Sequence, residues 1–138
     1  MQTHLPEVLL IIDPDRRFHE FLNEDFKACV AAKPGRLFAE PLCVISIREA
    51  QRVLSMREVR LAGVFVNPSV GTPAWLSVLK DVERYYPKCP RWVVCDRLPE
   101  LSDAERIRHK IQAVLQKPIG YVELNDEVDR IIFDTGKK

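Results

Sequence analysis

The run Leu61-Ala-Gly-Val-Phe-Val66 constrains the fold more than any other stretch of this chain. Its almost uninterrupted apolar character predicts a strand buried on both faces, which is typical of the centre of a parallel sheet. The run stops at Asn67, and Pro68 cannot continue a hydrogen-bonded ladder. Because open α/β sheets collect their functional groups where strands end at the carboxyl edge, the amide of Asn67 is a candidate site residue.

The rest of the chain alternates short apolar runs with segments of helical periodicity. Strands are predicted at Val8 to Ile12, within 37–45, at Arg91 to Cys95 and at Ala113 to Gln116. Pro41 restricts the second strand to a sheet edge. Each of the five predicted helices has an apolar stripe at helical spacing that we expect to be buried. In chain order, the stripes are Phe18, Phe21, Leu22, Phe26, Cys29 and Val30 in the first helix; Ile47, Ala50, Val53 and Leu54 in the second; Trp75, Val78, Leu79, Val82 and Tyr86 in the third; Ile107 and Ile111 in the fourth; and Tyr121, Leu124, Val128, Ile131 and Ile132 in the fifth.

Local signals mark where these helices begin and end. Capping boxes are predicted at Ser46 to Glu49 and at Ser102 to Glu105, and Thr72-Pro73 has the pattern of an N-cap followed by proline. The segment Lys33-Pro-Gly-Arg36 breaks the first helix. Repeated strand–helix units require crossover connections and therefore a parallel sheet. The fold class is α/β, a doubly wound sheet with helices on both faces.

Length and composition limit the functional classes. The chain has 138 residues, and we expect one domain at 1–133 followed by a polar tail, or the start of a linker, at 134–138. The formal net charge of +1 argues against a nucleic-acid or membrane partner. Four cysteines form no C-x-x-C pair, and no secretory signal or long apolar span is present, so a reducing, cytoplasmic location is expected.

Polar side chains stand at the predicted strand ends. They are Asp13 and Asp15 after strand one, Asn67 after strand three, Cys95 and Asp96 at the end of strand four, and Lys117 after strand five. Carboxylates, an amide and a lysine that converge on one crevice are uncommon in an arbitrary α/β domain. Asn67-Pro68 is also an ordinary turn signal, and Lys117 is most simply explained as the ion-pair partner of Asp13 or Asp96.

These features resemble the receiver domain of bacterial two-component response regulators over essentially the whole chain. The resemblance rests on Ile11-Ile-Asp-Pro-Asp15, on Leu61 to Asn67, on Pro90 to Asp96 and on Leu115-Gln-Lys-Pro-Ile119. It implies a flavodoxin-like sheet with strand order 2-1-3-4-5, in agreement with the edge position of Pro41. A typical receiver carries an aspartyl phosphate at the end of strand three. Acidic residues after strand one bind Mg²⁺, a Ser or Thr ends strand four, and a lysine follows strand five.

The chain departs from that pattern at the positions that carry the chemistry. Asn67 stands where the phosphoacceptor would be, and an amide cannot form the acyl phosphate. Pro14 replaces a metal-binding carboxylate, and Cys95 replaces the hydroxyl residue with a poor hydrogen-bond donor. Asp13, Asp15 and Lys117 match the pattern. We therefore expect a degenerate phosphorylation site, no cofactor, and weak or absent Mg²⁺ binding.

The resemblance implies a pseudo-receiver, which is a signalling domain that binds proteins and is not an enzyme. Its expected partner surface comprises helix four, strand five and helix five, with Arg106, His109, Lys110, Gln112, Val114 and Tyr121. Val114 stands where the family has its switch aromatic. The use of this surface would be homodimerisation, a separate protein partner, or control of a fused effector domain. His4, His19 and His109 are expected to face solvent.

Two alternatives stay open at this point. The acidic crevice could bind a small ligand or a cation, although no Gly-rich phosphate loop is present. Alternatively, the chain could be a receiver that is phosphorylated at an unusual residue. Asp15 is a weak candidate for that residue, since it lies at a helix start and away from Lys117.

Overall fold

The computed structural model describes residues 7–31, 40–71, 74–98, 101–120 and 122–127. The described residues include a parallel sheet in the order β2-β1-β3-β4-β5, as predicted. Its strands are β1 (Glu7–Ile12), β2 (Glu40–Val44), β3 (Arg60–Val66), β4 (Arg91–Cys95) and β5 (Ile111–Gln116). Pro41 lies in the edge strand β2, where a residue without an N–H donor is tolerated.

Helices cover both faces of this sheet. They are α1 (Arg16–Ala31), α2 (Ile47–Met56), α3 (Trp75–Tyr85), α4 (Asp103–Arg108) and α5 (122–127), with a short 3₁₀ turn at Pro68–Val70. Phe18, Leu22 and Leu124 bring α1 and α5 into the core on one face. Leu54 and Leu79 bring α2 and α3 into the core on the other face. The doubly wound architecture is therefore confirmed.

β3 lies at the centre of the sheet because its residues are small or apolar on both faces. From Ala62 to Val66 the strand is fully buried. A Cβ atom on Gly63 would lie 2.7 Å from the ring of Trp92 and 2.9 Å from Leu9, so glycine is needed for β3 to fit beside this indole. Trp92 stacks on Phe65, with ring centroids 4.8 Å apart, and its Nε1 donates to Glu127 Oε2 at 2.7 Å. Trp92 thereby joins the central strands to α5.

Some predicted core positions are wrong. Phe21 is 49% exposed, because Phe18 and Leu22 occupy the face of α1 that packs on the sheet. Ile107 is 76% exposed and Ile111 belongs to β5, not to the helix before it. The reason is that α4 ends at Arg108, and Lys110 adopts a left-handed conformation (φ 56°) that turns the chain into the strand early.

The histidine prediction is also wrong wherever it can be checked, since His19 and His109 are both buried. Both hydrogen bonds of the predicted capping box are present at Ser102. At Ser46 the structure shows one of the two, in which the Ser46 hydroxyl accepts the backbone N–H of Glu49. Several predictions fall outside the described residues. They are the break at 33–36, the cap at 72–73, His4, the side chains of Phe26, Cys29 and Val30, Tyr121, Val128, Ile131, Ile132 and the boundary at residue 133.

Candidate functional site

Asp13 is the centre of the polar group at the carboxyl edge of the sheet. It follows β1 directly, is fully buried, and donates its backbone N–H to the carbonyl of Val44 at 3.1 Å. Its Oδ1 accepts the backbone N–H of Asp15 at 2.8 Å. Its Oδ2 accepts a hydrogen bond from Asn67 and forms an ion pair with Lys117. Both carboxylate oxygens are therefore occupied by donors from the chain itself.

Asn67 uses both ends of its amide. Its Nδ2 donates to Asp13 Oδ2 at 3.0 Å, and its Oδ1 accepts the backbone N–H of Ser69 at 2.9 Å. The second bond caps the 3₁₀ turn that follows β3, so Asn67 is a turn residue as well as a member of the polar centre. The side chain is 1% exposed. A carboxylate here could not donate to Asp13, and two buried carboxylates would repel each other.

Lys117 closes the centre from the other side. Its backbone N–H donates to the carbonyl of Cys95 at 2.8 Å, which fixes the residue beside the end of β4. Its Nζ lies 2.8 Å from Asp13 Oδ2, 3.9 Å from Asp96 Oδ1 and 4.1 Å from the centre of the Phe18 ring. The predicted ion pair is present, and Asp13 is its main partner because the carboxylate of Asp96 is 65% exposed.

Asp15 joins the centre only through its backbone N–H, and the side chains of Asp15, Pro14 and Cys95 form no hydrogen bond with it in the described part of the chain. The carboxylate of Asp15 accepts the backbone N–H of Arg17 at 2.9 Å at the start of α1, and both Asp15 and Pro14 are exposed. Cys95 is buried, with its Sγ 3.8 Å from the carbonyl oxygen of Leu115. Burial raises the pKa of the Cys95 thiol, and the nearby carboxylate of Asp96 acts in the same direction. A reactive thiolate is therefore disfavoured at this position.

The donor set does not fit a magnesium ion. Mg²⁺ requires oxygen ligands in near-octahedral geometry and is held by carboxylates that are free to coordinate it. Both oxygens of Asp13 already have partners, the side chain of Pro14 has no ligand atom, and the carboxylate of Asp15 caps a helix. Within the described ranges, no group of three His, Cys, Asp or Glu side chains is arranged to hold a metal ion.

The sequence reasoning missed His19 as a neighbour of this centre. Its Nε2 lies 2.6 Å from the backbone carbonyl oxygen of Asp13, and the ring is 7% exposed. The available signal was its spacing, because His19 lies one helical turn after Asp15 and next to the core residue Phe18. Once the start of α1 is placed at Arg16, this spacing predicts that His19 lies on the face of the helix that is turned toward the end of β1.

The predicted partner surface is only partly exposed. Arg106, Lys110 and Gln112 are exposed, and Arg106 Nη2 reaches the carbonyl of Gln112 at 3.5 Å. Val114 is half-buried against the core between the sheet and α2–α3. His109 does not belong to the surface, because it caps α4 and its carbonyl accepts Arg91 Nη1 at 3.2 Å. Burial lowers the pKa of His109.

No protein-family model matches the chain, and no curated protein matches it. Solved structures do. The signal receiver domain of an HD domain-containing protein from Pseudomonas fluorescens Pf-5 is 18% identical, with a TM-score of 0.74 over 98% of this chain and 100% of that one. The chain has the fold of a response regulator receiver domain.

Two further structures extend the range of proteins that share the receiver fold. A CheY-like receiver domain from Methylobacillus flagellatus is 18% identical, with a TM-score of 0.68 over 93% of this chain and 99% of that one. A sensor protein from Polaromonas sp. JS666 is also 18% identical, with a TM-score of 0.65 over 94% and 97%. At these identities the likeness establishes the receiver fold alone. None of the helices in the described ranges is long and apolar enough to span a membrane.

Proposed function

We propose that this chain is a pseudo-receiver, a signalling domain that acts through protein–protein contacts and is not switched by aspartyl phosphorylation. The observation that carries the proposal is the hydrogen bond from Asn67 Nδ2 to Asp13 Oδ2, beside the ion pair between Asp13 and Lys117. The lysine that would neutralise a phosphoryl group in a typical receiver is already neutralised by Asp13. The positive charge of Lys117 and the negative charge of Asp13 therefore offset each other within the polar centre.

The chemistry of the residues supports this proposal. Transfer to a receiver requires a carboxylate nucleophile and a divalent cation that offsets the charge of the transferring group. The amide of Asn67 supplies no such nucleophile, and the oxygens of Asp13 already have partners. We infer no catalytic activity and no cofactor, with Mg²⁺ binding weak or absent. The same closed geometry speaks against a small ligand or cation in this crevice.

The proposed partner is a protein or an effector domain fused to this one. Contact would use the surface formed by α4, β5 and α5, including self-association into a homodimer. Two features support this choice. Arg106, Lys110 and Gln112 are exposed there, and the large apolar side chain of Ile107 on α4 is 76% exposed. A contact surface commonly combines exposed aliphatic side chains with a polar rim.

The direct test is phosphorylation by a small-molecule donor. The protein is incubated with acetyl phosphate and Mg²⁺, and its intact mass is measured before and after. We expect no change in mass, while a receiver with the full acidic set, treated in parallel, gains a phosphoryl group. A base-labile adduct on this chain would overturn the proposal. Peptide mapping would then locate the acceptor, with Asp15 as the first position to check.

A further inference from the structure

A cleft open to solvent lies between the start of α1 and the β2–α2 connection, outside the polar centre. It has a volume of about 330 Å³ and is lined by Arg16, His19, Cys43, Ile45 and Glu49. That volume is at the lower end of the range for small-molecule sites. His19 connects the cleft to the polar centre through its hydrogen bond to the Asp13 carbonyl.

The lining carries one positive and one negative charge on different elements. Arg16 on α1 and Glu49 on α2 are both exposed, and neither side chain forms an ion pair or hydrogen bond in the part of the chain that the structure describes. Both charges therefore remain without a protein counter-ion among the described residues at the lining of the cleft. An anion alone would meet the carboxylate of Glu49, and a cation alone would meet the guanidinium of Arg16.

His19 adds a polar atom that lacks a partner. The carbonyl of Asp13 can only accept, so Nε2 carries the proton that makes their bond, and Nδ1 of the neutral ring is an acceptor. This Nδ1 is buried and has no hydrogen-bond partner among the described residues. A buried acceptor without a donor is unfavourable. Because Nδ1 is buried, a donor in the cleft reaches it only if the His19 ring shifts.

We propose that this cleft binds a small zwitterion of the α-amino-acid class. The ligand carboxylate lies against the Arg16 guanidinium, whose planar fork suits a carboxylate. The ammonium lies near Glu49 and supplies the donor for His19 Nδ1. The ligand side chain lies over Ile45 and Cys43. This inference does not depend on the signalling role, because it uses none of Asn67, Lys117 or the α4–β5–α5 surface.

Calorimetric titration of the full chain with each standard L-amino acid tests the proposal. We expect at least one to bind saturably, with a dissociation constant below about 1 mM. The matching carboxylic acid without the amino group, and the matching amine without the carboxyl group, should each bind at least about tenfold more weakly. Bound ligand should also slow modification of the exposed Cys43 by a thiol reagent, followed by peptide mass.

Matched variants locate the site. Arg16→Gln and Glu49→Gln should each weaken binding by about tenfold or more, while Arg17→Gln and Glu58→Gln, which change exposed residues outside the lining, should leave it unchanged. The proposal is overturned if no amino acid binds, if the deaminated acid binds equally well, or if the control variants lose as much affinity as the cleft variants.

Discussion

Asn67 Nδ2 donates a hydrogen bond of 3.0 Å to Asp13 Oδ2, joining the ends of β3 and β1 inside the carboxyl edge of the sheet. The residue at the end of β3 is therefore a structural partner of the buried acid after β1. This relationship makes the effect of restoring a carboxylate there predictable.

Asn67→Asp should destabilise the fold and should not restore phosphorylation. The variant loses a buried donor and places a second carboxylate beside Asp13, so we expect a loss of about 2–4 kcal/mol in the free energy of unfolding. Chemical denaturation measures the loss. Acetyl phosphate with Mg²⁺ should still give no adduct, because Pro14 supplies no metal ligand. Efficient phosphorylation of this single variant would contradict the assignment of Pro14 as the missing ligand.

Lys117→Met should destabilise the protein by about 3–5 kcal/mol, because it leaves the fully buried carboxylate of Asp13 without its counter-charge. Adding Asp13→Asn should recover part of this loss, and the double-mutant cycle gives the coupling between the two groups. The control is Lys110→Met. Lys110 is 59% exposed and pairs with Glu83 at the surface, so its loss should cost no more than about 1 kcal/mol. Equal losses for the two lysine variants would contradict a buried ion pair.

Arg91→Met should be among the most damaging substitutions away from the polar centre. The guanidinium is fully buried at the start of β4 and donates to the carbonyls of Cys89, Pro87 and His109. It also pairs with Glu83 at 2.9 Å. Leaving the carbonyls of Cys89 and His109 unpaired in the interior should cost about 3 kcal/mol or more. Thermal unfolding measures it, with the exposed Arg97→Met as a control that should change little.

Stability should fall at alkaline pH, and Cys89 should account for part of the fall. Burial raises the pKa of the Cys89 thiol from 9.0 to about 12. Since the folded-state pKa is the higher one, the unfolded state loses its proton first, and stability decreases as the pH rises above about 9. Between pH 8 and pH 10 this thiol should account for about 1.4 kcal/mol of the decrease.

Cys89→Val should therefore show a shallower decline in unfolding free energy between those pH values than the unchanged protein. Cys43→Val is the comparison, since Cys43 is exposed on the edge strand and burial raises the pKa of its thiol by less than it raises that of Cys89. Identical pH profiles for Cys89→Val and the unchanged protein would show that the Cys89 thiol does not titrate as its burial implies.

The amino-acid pattern was enough to predict the sheet. Apolar runs such as Val8–Ile12 and Leu61–Val66 are typical of strands buried on both faces, their alternation with helical segments predicts a parallel sheet, and Pro41 restricts its strand to an edge. The residues at the strand ends were identifiable for the same reason, because the carboxyl ends of parallel strands meet. Asp13, Asn67 and Lys117 do come together there.

The tertiary structure decided which polar groups are buried and what satisfies them. His19, His109 and Arg91 are all buried. Backbone carbonyls accept hydrogen bonds from the side chains of His19 and Arg91, and the carbonyl of His109 is one of the acceptors of Arg91. Ile107 lies within α4 and is 76% exposed, so its apolar character did not decide its burial. Periodicity predicts which face of a helix is apolar, but partners from distant strands determine whether a charge can be buried. The ion pair of Asp13 and Lys117, with Asn67 as a hydrogen-bond donor to Asp13, depends on such partners, because the three residues follow three different strands.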